Sequence, residues 1–179
     1  PDIIQYIEHG VLNLVAQAEN IGHMSQTLSN SVLDNYHHLG DAASITDGLH
    51  YDPKLAPYEK SADGKSSGTP DDMWAFTSRN PSLDFRAATM FAAASRALKG
   101  YNDDLSERAL KQSKRLLKEA TELMAKSSPK NNRQKTTEDM AANLQLYVST
   151  GEKNYLEHFT QEIWQSLEHN VNYNIMTAM

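Results

Sequence analysis

Cysteine is absent from this sequence of 179 residues, so the chain has no disulfide bond, thiolate nucleophile or cysteine-based zinc site. No run of about 18 apolar residues occurs, and we therefore expect no membrane-spanning helix. Positive charge is also scarce, because 17 Lys and Arg residues stand against 23 Asp and Glu residues. No basic stripe is present to neutralise phosphates, and this excludes an ordinary nucleic-acid-binding protein.

Several catalytic motifs are missing as well. The sequence contains no glycine-rich phosphate loop, no Gly-x-Ser-x-Gly elbow and no His-Glu-x-x-His pair, so nucleotide-dependent enzymes, serine hydrolases and zincins have no support. We expect no cofactor. Because the first residue is Pro1, we expect the chain to begin inside a longer reading frame or after a processed segment. The expected location is secreted or periplasmic.

Apolar residues recur at three- and four-residue steps through most of the chain, as is typical of amphipathic helices. This spacing predicts a first helix over 2–20, with Asp2 as its N-cap. Further helices are predicted over 83–100, which is rich in Ala and Phe, and over 104–126. The next begins at a Thr136 or Thr137 cap and ends near Ser149, before Gly151, and the last contains Tyr155 and Leu167.

The fold class predicted from these segments is all-α, with antiparallel helical hairpins over 82–172 and no sheet of three or more strands. We expect a set of mainly buried side chains: Ala92, Ala93, Leu98, Leu116, Leu144 and Phe159. Trp164 lies on the apolar stripe of the last helix, so it is predicted to join the core.

One long irregular loop is predicted over 21–81, where Gly, Ser, Asp, His and Pro are frequent. Loops of this length inside a compact domain are usually functional or disordered. The aromatic residues in "VLDNYHHLGD" and "DDMWAFTSRNP" favour two ordered arms, whereas the middle stretch "EKSADGKSSGT" has the composition of a flexible tip.

The helical segments resemble glycoside hydrolase family 9, the endoglucanase and cellulase-type enzymes. "RNPSLDFRAATMFAAASRALK" and "GYNDDLSERALKQSKRLLKEA" are similar to the family's alanine-rich helix and the helix after it. "EDMAANLQLYVSTGEKNYL" resembles the next hairpin, and "PDIIQYIEHGVLNLVAQ" resembles a helix that precedes them in the family. The resemblance implies that the chain is part of an (α/α)6 toroid, with apolar inner helices, amphipathic outer helices and a glycan-binding cleft at one end.

The catalytic motifs of that family do not occur in this chain. Family members carry a paired aspartate in an Asp-Ala-Gly-Asp type motif and a glutamate near the C-terminus, and "HLGDA" lacks the pair. The resemblance therefore implies an internal fragment of the catalytic domain, with the catalytic carboxylates outside it. The adjacent Asp71 and Asp72 are carboxylates, but neighbouring residues usually point apart, so we interpret them as part of a turn or helix start.

Four residues of the two loop arms are candidate substrate-binding residues: His37, His38, Trp74 and Arg79. Sugar rings pack their C–H faces on aromatic planes, and Arg donates to hydroxyl groups, so the Trp and Arg could bind an oligosaccharide. Trp74 could equally anchor the loop to the helices. The two histidines belong to a cluster for which structural, sugar-binding and metal-binding roles are all open, although no metal motif matches it: His37, His38, Asp41, Asp47, His50 and Asp52.

The leading functional hypothesis is a fragment of a glycoside hydrolase whose intact protein hydrolyses β-linked glucan or a related polysaccharide by inversion. The partners expected are an oligosaccharide or polysaccharide and the remainder of the parent domain, with no nucleic acid and no membrane span. Two alternatives remain. One is a non-catalytic, tetratricopeptide-like helical module that binds a protein, although no 34-residue repeat runs through the chain. The other is a different α/α-toroid carbohydrate enzyme, such as a polysaccharide lyase.

Overall fold

The computed structural model describes residues 2–26, 28–29, 36–40, 47–76, 78–126 and 132–169. The helices are α1 (Ile3–Ile21), α2 (Pro81–Leu98), α3 (Asp103–Ala125), α4 (Asn132–Thr150) and α5 (Lys153–His169). The strands are β1 (Leu28–Ser29), β2 (Tyr36–Gly40), β3 (His50–Tyr51), β4 (Ser66–Ser67) and β5 (Met73–Phe76). The predominantly helical class predicted from the sequence is confirmed.

The chain divides into two compact units. The helical unit contains the first part of α1, up to Val11, together with α2, α3, α4 and α5. The loop unit, Leu12–Asn80, contains the rest of α1 and all five strands. No helix in the described part of the chain has the length and hydropathy needed to cross a membrane.

Helix α2 is buried over most of its circumference. Pro81 occupies its first position, where the missing N–H is not needed, and alanine favours the helical backbone that follows. The helix ends at Leu98, and Gly100 then takes the left-handed conformation, with φ at 81°. Phe85 and Phe91 are completely buried. Burial of nonpolar surface therefore holds α2 in place from several sides.

Helix α2 packs against α3 and α4, and α4 packs against α5. Small hydroxyl side chains join these helices by donating to backbone carbonyl groups of α2. Ser113 of α3 donates to the Ala88 carbonyl at 2.6 Å, and Ser149 of α4 donates to the Ala92 carbonyl at 2.7 Å. Because serine is small, such contacts let the helix backbones approach closely and leave the buried hydroxyls satisfied.

The prediction of one long irregular loop over 21–81, without a sheet of three strands, is wrong about the sheet. A small antiparallel sheet forms with β5 between β1 and β2, and β3 pairs with β4 in parallel. Each strand is two to five residues long, so none carries the alternating pattern by which strands are recognised in a sequence. Pairing between distant segments, and not local preference, produces this sheet.

Two further expectations are corrected. Helix α4 begins at Asn132, so Thr136 and Thr137 lie inside the helix and do not cap it. Trp164 is 65% exposed and does not join the core. The expected burial is observed in full for Ala92, Leu98 and Leu116, and in part for the remaining three residues, Ala93, Leu144 and Phe159.

Candidate functional site

The loop unit brings the two predicted arms together through the pairing of β2 with β5. In this antiparallel pair the Cα partner of His38 is Trp74, and the partner of His37 is Ala75. The register is irregular between His38 and Gly40. Three of the four predicted substrate-binding residues, the two histidines and Trp74, are therefore neighbours in one sheet. The histidines are far from Trp74 in the sequence.

Arg79 lies outside this sheet, in the short connection between β5 and α2, where it is partly buried. Asp41, another member of the His and Asp cluster, lies outside the described residues. In the part of the chain that the structure describes, no group of three or more His, Asp or Glu side chains could hold a metal ion.

Asp72 fastens the start of β5 to β3. Its carboxylate is almost completely buried, with 8% of the residue exposed. One oxygen, Oδ2, accepts from the Nδ1 atom of His50 at 3.1 Å and from the backbone N–H of Tyr51 at 2.6 Å. A buried carboxylate needs such partners, so Asp72 acts in this loop as a structural acceptor.

Asp47 is a second carboxylate that organises this loop. Its Oδ2 atom accepts from the hydroxyl of Ser67, and its Oδ1 atom accepts from the backbone N–H of Leu49 at 2.9 Å. The Ser67 hydroxyl, followed by the Leu49 N–H, lowers the pKa of the Asp47 carboxyl below its usual value, because both donors stabilise the charged form. Asp47 therefore remains ionised at neutral pH.

The side chain of Asp71 also forms a hydrogen bond with the loop backbone. Its Oδ2 atom accepts from the backbone N–H of Asp47 at 2.7 Å. Its Oδ1 atom is buried and has no hydrogen-bond partner among the described residues. With Asp72 also engaged, the structural role predicted for this pair agrees with its contacts, although the pair leads into strand β5 and not into a helix.

The middle of the loop, for which the sequence predicts a flexible tip, contains several hydrogen bonds between its own residues. The backbone N–H of Ser61 donates to the Ser66 carbonyl at 2.9 Å, and the Ser61 hydroxyl donates to Asp63 at 2.7 Å. Gly68 lies so close to the Ala56 carbonyl that any Cβ atom at this position would overlap it. Short polar residues and glycine here form turns whose own backbone groups are paired.

The helical unit contains a second group of side chains that sequence reasoning missed. A cavity of about 480 Å³ opens among α3, α4 and α5, and Asp139, Asn143 and His158 line it. Asp139 and Asn143 are four residues apart, so they lie on one face of α4, but nothing in the sequence shows that His158 of α5 meets that face. Only helix packing brings the three together.

Comparisons with protein-family models, with curated proteins and with solved structures find no match to this chain.

Proposed function

We propose that this chain is part of the catalytic domain of a family-9-like glycoside hydrolase. The intact protein hydrolyses a β-linked glucan or a related polysaccharide by inversion, with water as the nucleophile, and acts in a secreted or periplasmic location. The four sequence segments that resemble this family support the proposal, since they follow the family's order along the chain.

The observation that carries the proposal is the burial of α2 between two neighbouring helices. An inner helix of an α/α toroid contacts the next inner helix and its own outer helix, and it is apolar on most of its faces. Helix α2 has these features: it packs on α3 and α4, and its buried positions are distributed around the helix. Helix α3 instead buries one stripe and exposes Glu107 and Lys111 on the other side.

In this arrangement α2 and α4 are inner helices, and α3 and α5 are the outer helices that follow them. Helix α5 fits the outer position because it packs on α4 and carries exposed residues such as Glu157 and Trp164. The two helix pairs would form about one third of the six-pair toroid.

The loop unit supplies the substrate-binding residues in this proposal. Trp74 offers an aromatic plane to the C–H face of a sugar ring, while Arg79, His37 and His38 offer hydrogen bonds to hydroxyl groups. The pairing of β2 with β5 supports the proposal by placing both histidines beside the strand that contains Trp74.

Inverting hydrolysis needs an acid and a base carboxylate roughly 6.5–9.5 Å apart. Asp47, Asp71 and Asp72 each accept hydrogen bonds that hold the loop, so they are poor candidates for this pair. We therefore place the catalytic carboxylates in other parts of the intact protein.

The test is to produce the chain together with the flanking parts of its reading frame and to follow glucan cleavage by proton NMR. Inversion of a β-linkage releases the α-anomer first, before mutarotation. Initial release of the β-anomer would contradict inversion, and an unsaturated product released from a uronic-acid polysaccharide would indicate a polysaccharide lyase. No cleavage of any β-glucan would reject the proposed activity.

The substrate-binding role of Trp74 is tested in the same protein. Trp74→Ala should weaken oligosaccharide binding by about 1–3 kcal/mol, the scale for losing an aromatic contact, without unfolding the protein. Trp164→Ala is the matched control, because Trp164 is exposed on α5 and is not expected to contact sugar. Unchanged affinity combined with a lower melting temperature would show that Trp74 anchors the loop instead.

A further inference from the structure

The cavity among α3, α4 and α5 shares no residue with the substrate-binding set proposed above. Its volume of about 480 Å³ lies within the range of typical small-molecule sites, roughly 300–1,000 Å³. It lies wholly within the helical unit, since every residue that lines it belongs to one of the three helices.

The floor of the cavity is held rigidly by a buried carboxylate. Asp139 is only 3% exposed, and its Oδ2 atom accepts from the Nε2 atom of His158 at 2.8 Å. Its Oδ1 atom accepts from the side-chain amide of Asn143 at 2.9 Å. The bond from His158 joins α5 to α4, and the bond from Asn143 lies within α4, so the His158 ring and the Asn143 amide are both fixed before any ligand arrives. Such preorganisation is what a binding site requires.

The rim of the cavity carries polar groups that the protein leaves available. Lys118 and Glu122 of α3 and Asn154 of α5 have no side-chain hydrogen bond or ion pair with any of the described residues. Lys114, by contrast, pairs with Glu152 at 2.5 Å. The rim therefore offers a hydrogen-bond donor in Lys118, an acceptor in Glu122 and an amide in Asn154 that can both donate and accept.

Charge and shape restrict the class of ligand. Glu152 neutralises Lys114, and the buried Asp139 carboxylate is engaged by His158 and Asn143. The remaining charges of the rim, on Lys118 and Glu122, are opposite, so the rim has no excess charge to attract an anion or a cation. Leu117 and the partly buried ring of Tyr155 add apolar surface. A ligand that matches this lining is uncharged, has many hydroxyl groups and presents a C–H face to the aromatic ring.

We infer that this cavity binds a neutral polyhydroxylated molecule of the size of a mono- or disaccharide. Asn143, Asn154, Lys118 and Glu122 hydrogen-bond its hydroxyl groups, and Tyr155 packs against its ring. Burial raises the pKa of Tyr155, and the neighbouring Glu152 acts in the same direction, so the phenol stays uncharged near neutral pH. The inference does not depend on the proposed hydrolase activity.

The test uses the 179-residue chain and ligand-observed saturation-transfer NMR with glucose, xylose and cellobiose, each titrated separately. Inorganic phosphate is the charged probe, and its binding is followed by phosphorus NMR line broadening. We expect saturable binding of at least one neutral sugar and none of phosphate. Asn154→Ala should weaken the sugar binding roughly 2- to 10-fold, the change for loss of one neutral hydrogen bond. Tyr155→Leu should also weaken it.

Two controls assign the binding to this cavity. Tyr6→Leu removes an exposed tyrosine of the helical unit that does not line the cavity, and it should leave affinity unchanged. Trp164→Ala changes an exposed residue of α5 that does not line the cavity, and it should also have no effect. Because Asn154 is exposed and its side chain pairs with no described residue, Asn154→Ala keeps the test valid even if Tyr155→Leu fails to fold.

Three results would overturn the inference. The first is failure of all three neutral sugars to bind. The second is binding that survives unchanged in both Asn154→Ala and Tyr155→Leu, or that is lost only in Trp164→Ala. The third is binding of phosphate in place of the sugars, which would make the cavity an anion site.

Discussion

At the scale of single residues, the hydrogen bond from Ser67 controls the ionisation of Asp47. We expect Ser67→Ala to raise the Asp47 pKa toward its ordinary value of 3.8, because the largest stabiliser of the carboxylate is gone. The measurement is an NMR pH titration of the aspartate side chains. Asp63 is the matched control, since its pKa is lowered by Ser61 and the Lys65 N–H, and it should titrate identically in both proteins.

This shift has a defined effect on stability. The folded pKa of Asp47 lies below the unfolded value, so its contribution is present above about pH 3.8 and is lost as pH falls through the folded pKa. Ser67→Ala should therefore unfold at a higher pH on acid titration. An unchanged Asp47 pKa in the variant would show that Ser67 does not set it.

Two glycines give opposite expectations for the same substitution. Gly68→Ala should destabilise the loop unit, because the new Cβ atom would overlap the Ala56 carbonyl, which is backbone and cannot rotate away. Gly10→Ala should stabilise α1 by about 0.5–1 kcal/mol, because open space surrounds this helical position and alanine favours the helix. Urea unfolding of both variants measures the two signs, and a stabilising Gly68→Ala would contradict the close approach.

At the scale of an element, Asn102 shows how one side chain begins α3. Its Oδ1 atom accepts from the backbone N–H of Leu105 at 3.1 Å, and its Nδ2 atom donates to Glu8 of α1 at 2.7 Å. Asn102→Ala should cost about 1 kcal/mol of unfolding free energy, the usual loss for an N-cap. Asn102→Ser keeps a capping oxygen and loses only the Glu8 bond, so it should cost less. Equal losses of unfolding free energy in Asn102→Ala and Asn102→Ser would mean that the N-cap hydrogen bond contributes nothing measurable.

The junction of α2 with α4 depends on Arg96. Its guanidinium donates to the Gln145 side chain at 2.5 Å, to the Gln145 carbonyl at 3.1 Å and to the Ser149 hydroxyl at 2.6 Å. We expect Arg96→Met to cost roughly 1.5–3 kcal/mol in urea unfolding, because hydrogen bonds from a charged donor exceed neutral ones. Arg108→Met is the comparison, since the Arg108 pair with Asp104 is more exposed and should be worth under about 1 kcal/mol. A larger loss at Arg108 would contradict this ranking.

At the scale of the whole molecule, the proposed function predicts that the purified chain does not hydrolyse soluble β-glucan. The reason is that Asp47, Asp71 and Asp72 hold the loop, and the proposal assigns the paired catalytic carboxylates to other parts of the intact protein. Release of reducing sugar is the measurement. Robust turnover that disappears in Asp71→Asn or Asp72→Asn would show that the chemistry lies within this chain.

The sequence by itself determined the five helices, because the apolar spacing and the glycines that end helices act over a few neighbouring residues. The predicted segments 83–100 and 104–126 become Pro81–Leu98 and Asp103–Ala125, and Gly151 takes the expected positive φ of 72° after α4. Trp164 marks the limit of this reasoning. A stripe identifies one side of a helix, but whether that side is covered depends on which element packs there.

Tertiary structure alone decided the small sheet, the loop anchors and the cavity. The β2–β5 pairing joins His38 to the strand of Trp74, and Asp72 accepts a hydrogen bond from His50. The partners in each contact are far apart in the sequence, so local conformational preferences do not predict these contacts. The Asp139–His158 pair likewise exists only once α4 and α5 are packed. A contact between distant residues becomes favourable only when the rest of the fold has already brought their backbones together, because the entropy of closing the intervening chain must first be overcome.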